Sequence, residues 1–260
     1  MMKKETTTLV LGASGATGRQ LVEQLLKQGQ HVKAVVRSPG SLPQTLTDNS
    51  RLTVIQASIL NLSDSEIAEH LHDCGAVASC LGHNLSFKGI FGQPRRLVTE
   101  ATRRLCQVIK ESNAEEPVKF VLMNTTGNRN RDLDETISFA QKCVIGLLRL
   151  LLPPHVDNEK AADYLRTEIG QDDKAIEWVA VRPDGLTNED TVTEYNLHAS
   201  PTRSAIFNAG KTSRINVGHF MANLIVDDQL WDQWKGQMPV IYNSTPNQET
   251  LDSSTPSSST

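Results

Sequence analysis

The sequence predicts an α/β protein built on a doubly wound parallel sheet, with a small lobe appended near its C-terminus. Three observations carry this expectation. Short apolar, β-branched runs lack the polar alternation of a sheet with one wet face, as strands buried on both faces do. Amphipathic stretches with a helical period separate them. The earliest run opens into a glycine loop that leads straight into a helix. At 260 residues the chain is long enough for one such domain.

The opening strand is Thr7-Thr8-Leu9-Val10-Leu11, followed by Gly12-Ala13-Ser14-Gly15-Ala16-Thr17-Gly18. A helix follows, its apolar stripe formed by Leu21, Val22, Leu25 and Leu26, and it runs out at Gly29. Such a loop lets a pyrophosphate rest on backbone N–H groups at the positive end of a helix. Glycine is needed where a Cβ would block the turn, the phosphate or the helix packing. Turns also collect glycine, so the loop alone is weak evidence and its context matters. That context is a second strand, His31 to Val36, ending at Arg37-Ser38-Pro39. An acidic residue there accepts from an adenosine ribose 2′-OH, whereas an arginine pairs with a 2′-phosphate. Arg37 is either that phosphate ligand or a solvated loop residue; its place after a glycine loop favours the former, and with it NADP.

Residues 39–49 read as a loop and residues 51–57 as a third strand, followed by Ser58-Ile59-Leu60-Asn61, where such folds hold adenine. A helix over residues 64–72 leads to a fourth strand, residues 75–81, ending in Gly82-His83-Asn84, and this end is expected to face the cofactor. A long helix over residues 94–112 places Leu97, Ala101, Leu105, Val108 and Ile109 on one face. The fifth strand, Val118 to Met123, ends in Asn124-Thr125-Thr126-Gly127, equally readable as site residues or as ordinary loop chemistry.

Residues 128–154 interrupt the alternation. Residues 128–134 are polar, and the apolar run within 137–152 is too short to span a bilayer and contains Arg149. It predicts a helix that covers the substrate pocket or packs on the core, with a dimer or membrane-surface contact as the alternative. A helix over residues 155–169 carries Lys160, Tyr164 and Arg166. The strand Trp178 to Val181 then runs into Arg182-Pro183-Asp184-Gly185-Leu186, expected to turn the chain away from the sheet. A strand within 191–198, a helix over 216–226 and a short strand over 239–243 complete a substrate lobe spanning about 184–243, so that 1–243 form a single domain. Residues 244–260 are almost wholly Ser, Thr, Pro and other polar types and predict a flexible tail.

A net charge of −4 without a basic tract gives no reason to expect a nucleic-acid partner. Cys74, Cys80, Cys106 and Cys143 show no metal-ligand spacing and read as reduced core residues. No hydrophobic signal region precedes the first strand, so export is not expected and the cytoplasm is the default.

Gly12, Gly15 and Gly18, the Arg37 strand end, the Leu81-Gly82 strand end, the Lys160 helix and Val181-Arg182-Pro183 together resemble the atypical short-chain dehydrogenase/reductases. The similar subgroup is the NAD(P)H-binding, NmrA-like type that includes flavin reductase/biliverdin reductase B proteins, over roughly residues 7–227. The resemblance implies a Rossmann fold, an NADP cofactor and hydride transfer to a flat conjugated acceptor. By position, Gly12, Ala13, Ser14, Gly15, Ala16, Thr17 and Gly18 would hold the pyrophosphate. Arg37 and Ser38 would take the 2′-phosphate, and Ser58 and Ile59 the adenine. Leu81, Gly82 and His83 would line the middle of the dinucleotide. Thr125 and Thr126 match the place of the catalytic hydroxyl, and Lys160 the lysine that holds the nicotinamide ribose. Pro183, Gly185 and Leu186 would meet the carboxamide.

One departure bears on mechanism. The family at large places a tyrosine four residues before that lysine as proton donor, and Val156 stands there. Tyr164 follows the lysine by four residues and reads as a packing residue. The expected acceptor is therefore one that takes hydride at a ring atom and draws its proton elsewhere: a flavin, quinone or bilin. The alternative expectation is a dinucleotide-sensing regulator that binds NADP(H) without chemistry and acts through a protein partner. A homodimer is left open.

Overall fold

The computed structural model describes residues 6–83, 92–112, 114–133, 135 and 138–244. Ten strands are present among them: β1 (Thr7–Leu11), β2 (His31–Val36), β3 (Leu52–Gln56), β4 (Cys74–Ser79), β5 (Val118–Met123), β6 (Ile176–Pro183), β7 (Gly185–Thr187), β8 (Tyr195–His198), β9 (Lys211–Ser213) and β10 (Val240–Asn243). Eight form one sheet in the order β3-β2-β1-β4-β5-β6-β10-β8, while β7 and β9 pair separately. In the main sheet β8 alone runs antiparallel to its neighbour, β10. This is the Rossmann-like α/β fold the sequence predicts. The winding direction reverses between β1 and β4, which opens a crevice beyond their carboxyl ends.

The helices are α1 (Ala16–Lys27), α2 (Gln44–Thr47), α3 (Asp64–Leu71), α4 (Leu97–Glu111), α5 (Phe139–Leu151), α6 (Pro153–Tyr164), α7 (Arg214–Val226) and α8 (Asp228–Trp234). On one face of the sheet α1 and α7 pack with Val10, Leu21, Leu25, Phe220, Met221 and Leu224 in a dry cluster. Gly218 is what allows their close approach, since a Cβ there would lie 2.8 Å from the Leu21 nitrogen. On the other face α3, α4 and α6 bury Leu9, Leu11, Leu105, Ile109, Phe120 and Leu165. Both faces are covered, which is why the strands read as continuous apolar runs.

Several boundaries differ from expectation for identifiable reasons. Arg182 and Pro183 do not turn away from the sheet but lie within β6, because the Arg182 N–H donates to the Pro239 carbonyl (2.8 Å) and the chain leaves only at Asp184. The helix expected over 155–169 starts two residues earlier, at Pro153, a residue suited to a first turn, and its last turn, Leu165–Ile169, widens to a π-turn closed by Gly170 at φ 72°. Helix α8 was not expected; the Asp227 carboxylate starts it by accepting from the Gln229 and Leu230 N–H groups. Cys143 is not a core residue but exposed on α5, which buries Ile145 and leaves Leu147 and Leu151 more than half exposed. No helix among the described residues is long and apolar enough to cross a membrane. Residues 245–260, where the tail was expected, and Asn84 lie outside the described residues.

Candidate functional site

The turn after β1 is shaped by close backbone packing. Gly12 has φ +70°, and a Cβ on it would stand 2.5 Å from the Cys80 carbonyl oxygen on the neighbouring chain segment. A Cβ on Gly18 would stand 2.2 Å from the Gly12 oxygen. The Gly15 N–H closes the turn on that same oxygen at 2.9 Å. Gly15 is then the N-cap of α1, and no side chain caps the helix. Ser14, Gly15 and Ala16 are exposed, whereas Ala13, Thr17 and Gly18 are buried. An uncapped helix N-terminus behind a glycine-rich turn fits an anion such as pyrophosphate.

Across the crevice, the end of β5 is locked to its neighbours. The Asn124 N–H donates to the Val181 carbonyl (2.7 Å) and its side-chain amide to the Asn158 carbonyl on α6 (3.0 Å). The Asn124 side-chain oxygen accepts from the Thr125 N–H at 2.8 Å. Thr125 is half-buried, its hydroxyl accepting from the Gly127 N–H (3.3 Å). Thr126 is buried, its N–H bonded to the Pro183 carbonyl and its hydroxyl to Asp184. Asp184 also accepts from the Gly185 N–H (3.0 Å) and the Gly210 N–H (2.8 Å). Burial raises its carboxyl above the ordinary aspartate value against those three hydrogen bonds.

Helix α6 frames the same loop. His155 lies against Gly127, with its Cε1 3.3 Å from where a Gly127 Cβ would be, and its Nε2 is buried with no hydrogen-bond partner. Burial lowers its pKa, against the pull of Glu159. The fully buried Asp157 carboxylate caps α4 by accepting from the Val98 N–H (2.8 Å) and Thr99 N–H (3.0 Å), and it pairs with His83 Nε2 (2.8 Å). Glu159 holds Arg131 at 2.9 Å and Arg149 of α5, fastening α5 to α6. Behind the loop, the wholly buried Arg182 donates to the Met238, Asn128 and Ala199 carbonyls and to both oxygens of Glu135.

The sequence model of a family described as NAD(P)H-binding matches residues 12–228, from the first glycine of the cradle to the start of α8. The chain belongs to this NAD(P)H-binding family. A curated relative, an uncharacterized chloroplastic protein of Arabidopsis thaliana, is 28% identical over 187 residues, 72% of this chain and 61% of that one. The chain thus spans less than two thirds of that relative's length. A short-chain dehydrogenase/reductase (wide type) from Veillonella parvula, in complex with NADP, superposes with a TM-score of 0.67 at 15% identity, covering 94% and 96% of the two chains. ChuY, an anaerobillin reductase from Escherichia coli O157:H7, superposes with 0.64 at 17% identity over 93% and 98%. At these identities the likeness is one of fold.

Against the NAD(P)H-binding framework, the remaining expected residues fall as follows. Arg37 and Ser38 are exposed just past β2. Ser58 is half-buried, and Ile59 is a core residue beside Ile67 and Leu105, its carbonyl held by Arg104. Leu81 is half-buried and Gly82 exposed. The His83 ring turns inward to Asp157 and its side chain is only 6% exposed. Lys160 is exposed on α6 and makes no side-chain hydrogen bond or ion pair among the described residues. Pro183 is buried, Gly185 exposed and Leu186 half-buried. Tyr164 packs under the Arg103 guanidinium, 5.4 Å from its ring centroid.

Sequence reading missed His155, Asp157 and Arg182 as organisers of the site. Only their spacing before Lys160 marks the first two, and nothing local marks a buried arginine. A cleft of about 820 Å³ opens elsewhere, at the amino ends of β4 and β5 between Leu71, Cys74, Val118 and Trp231, and shares no residue with the glycine cradle.

Proposed function

We propose that the protein is an NADPH-dependent reductase that transfers hydride to a flat conjugated acceptor of the flavin, quinone or bilin type. The observation that carries this reading is the uncapped N-terminus of α1 beneath the Gly12–Gly15–Gly18 turn, combined with Val156 where a proton-donating tyrosine would stand. The backbone N–H groups of residues 14, 16 and 17 would hold the pyrophosphate, the Gly15 N–H being taken by the Gly12 carbonyl, and the exposed Arg37 and Ser38 the 2′-phosphate. Ser58 is the candidate at the adenine end, Leu81 and Gly82 along the middle, and Lys160, Pro183, Gly185 and Leu186 around the nicotinamide half. When bound, the nicotinamide supplies the hydride.

The chain's own residues position and exclude. The Thr125–Gly127 loop, held by Asn124, Asp184 and Arg182, gives the acceptor a rigid floor. Thr125 is the hydroxyl available to the acceptor, since Thr126 is spent on Asp184. His155, whose pKa burial lowers, packs against Gly127 in the same loop and holds a buried Nε2 without a hydrogen-bond partner, a group that could accept a hydrogen bond there.

Stopped-flow oxidation of NADPH against a panel of flavins, quinones and bilins tests the proposal. Turnover of at least one member is expected. Tight cofactor binding with no turnover on any would replace it with a cofactor-sensing role through a protein partner.

A further inference from the structure

Resting on the reductase reading, we propose that Arg203 anchors an acidic arm of the acceptor, phosphate or carboxylate, so that the site selects flat acceptors that carry one. Arg203 lies in the connection between β8 and β9, which passes over the carboxyl end of β6. That connection is tied down at Gly210, whose N–H donates to Asp184 (2.8 Å) and whose carbonyl accepts from the Gly185 N–H (3.1 Å). It has a fixed turn of its own, with the Ser204 hydroxyl accepting from the Ile206 and Phe207 N–H groups. Arg203 is therefore presented by a held segment, adjoining the Asp184–Thr126 link and hence the end of β5.

The guanidinium is oriented but chemically unspent. Its Cζ lies 5.5 Å from the centroid of the buried Tyr242 ring, and its Cδ would touch a Cβ on Gly210 at 3.4 Å. The ring contact uses none of its N–H donors, which stay available to an anion. Among the described residues Arg203 has no ion pair and no side-chain hydrogen bond, although it is partly buried. Asp184 feels its charge but is not its partner, because that carboxylate is already occupied by Gly210, Thr126 and Gly185. Arg104, Arg149, Arg166 and Arg182, by contrast, are each matched to a carboxylate. A planar fork with open donors suits a bidentate phosphate or carboxylate. Phe207, 59% exposed on the same segment, adds an aromatic face for a flat ring.

Two matched pairs of acceptors isolate the arm from the ring: FMN against riboflavin, and biliverdin against its dimethyl ester. The full chain with NADPH is expected to show a lower KM for the acidic member of at least one pair. Arg203→Ala should raise that KM tenfold or more, leave the neutral member within twofold and leave the KM for NADPH unchanged. Arg203→Lys should recover part of the loss, since it keeps the charge but not the fork. Equal KM values for the acidic and neutral members in the unmodified protein, or an equal rise for both in Arg203→Ala, would overturn the inference. Should Arg203→Ala fail to fold, Arg203→Gln carries the same comparison. If no acceptor is turned over, the reductase reading fails by itself. Fluorescence quenching of FMN and riboflavin with NADP⁺ present then decides on Arg203: unequal binding abolished by Arg203→Ala supports the anchor, and equal binding removes it.

Discussion

Arg182→Met is the perturbation whose cost follows most directly from the structure. The arginine side chain is wholly buried and that of Glu135 only 4% exposed. Methionine fills much of the same volume but leaves the Glu135 carboxylate inside the protein without a cation, and the Asn128, Ala199 and Met238 carbonyls each lose a donor. Breaking a buried pair from one side costs about 3–5 kcal/mol, because the remaining charge stays desolvated. For a domain of this size each kcal/mol lowers Tm by roughly 2–4 °C, so a fall of roughly 6–20 °C is expected. Replacing both partners together, Arg182→Met with Glu135→Leu, removes the stranded charge and should restore most of the loss. Urea titrations of the parent, both single variants and the double variant close the cycle. A cost below about 1 kcal/mol for Arg182→Met, or a double variant as unstable as the two singles summed, would refute the claim that the two groups act as one buried pair.

Other outcomes follow from the same geometry. Arg37→Ala should weaken NADPH by about 1.5–3 kcal/mol while leaving NADH nearly unchanged, as for loss of a charge-assisted phosphate contact; isothermal calorimetry with both cofactors decides, and equal losses would dismiss the 2′-phosphate role. Gly18→Ala forces a Cβ to within 2.2 Å of the Gly12 carbonyl oxygen, so the cradle must open; cofactor binding should fall below detection or the protein lose about 1–3 kcal/mol of stability, and a variant unchanged in both respects would contradict the packing. Lys160→Ala should weaken cofactor binding with little change in Tm, because the side chain is exposed; unaltered affinity and turnover would take Lys160 out of the site. His155 has a folded pKa below its ordinary 6.5, so the unfolded chain binds more protons between those values, and stability present above pH 6.5 is lost as pH falls through that window. His155→Gln should flatten this part of the pH–stability curve, and an unchanged slope would assign it to another group.

The NAD(P)H-binding core was legible because its signals are local. A parallel strand covered on both faces must be apolar throughout, a helix packed on one side must repeat at 3.6 residues, and a turn with no room for a Cβ must be glycine. Residues 7–29 satisfy all three in succession, so strand, cradle and helix could be placed without knowing what surrounds them. The same locality explains an error: Cys143 lies inside an apolar run and reads as a core residue, yet α5 leaves it exposed.

What surrounds the end of β5 had no such signature. Arg182 could be read as a surface turn because an arginine at a strand end usually is one; only the convergence of Glu135, Asn128, Met238 and Ala199 keeps it inside. Asp157 looks like any solvated helix aspartate until α4 brings two unpaired N–H groups and His83 to it. His155 and Arg203 stand out only in three dimensions, where, among the described residues, one keeps a buried nitrogen without a hydrogen-bond partner and the other lies over the Tyr242 ring. Sequence by itself determined a mostly parallel sheet covered on both faces and the glycine turn after its first strand, because backbone sterics and apolar periodicity are properties of neighbouring residues. Tertiary structure alone decided which polar groups are spent on holding the fold and which remain for a ligand, because the satisfaction of a buried charge or hydrogen bond depends on partners that the chain supplies from elsewhere.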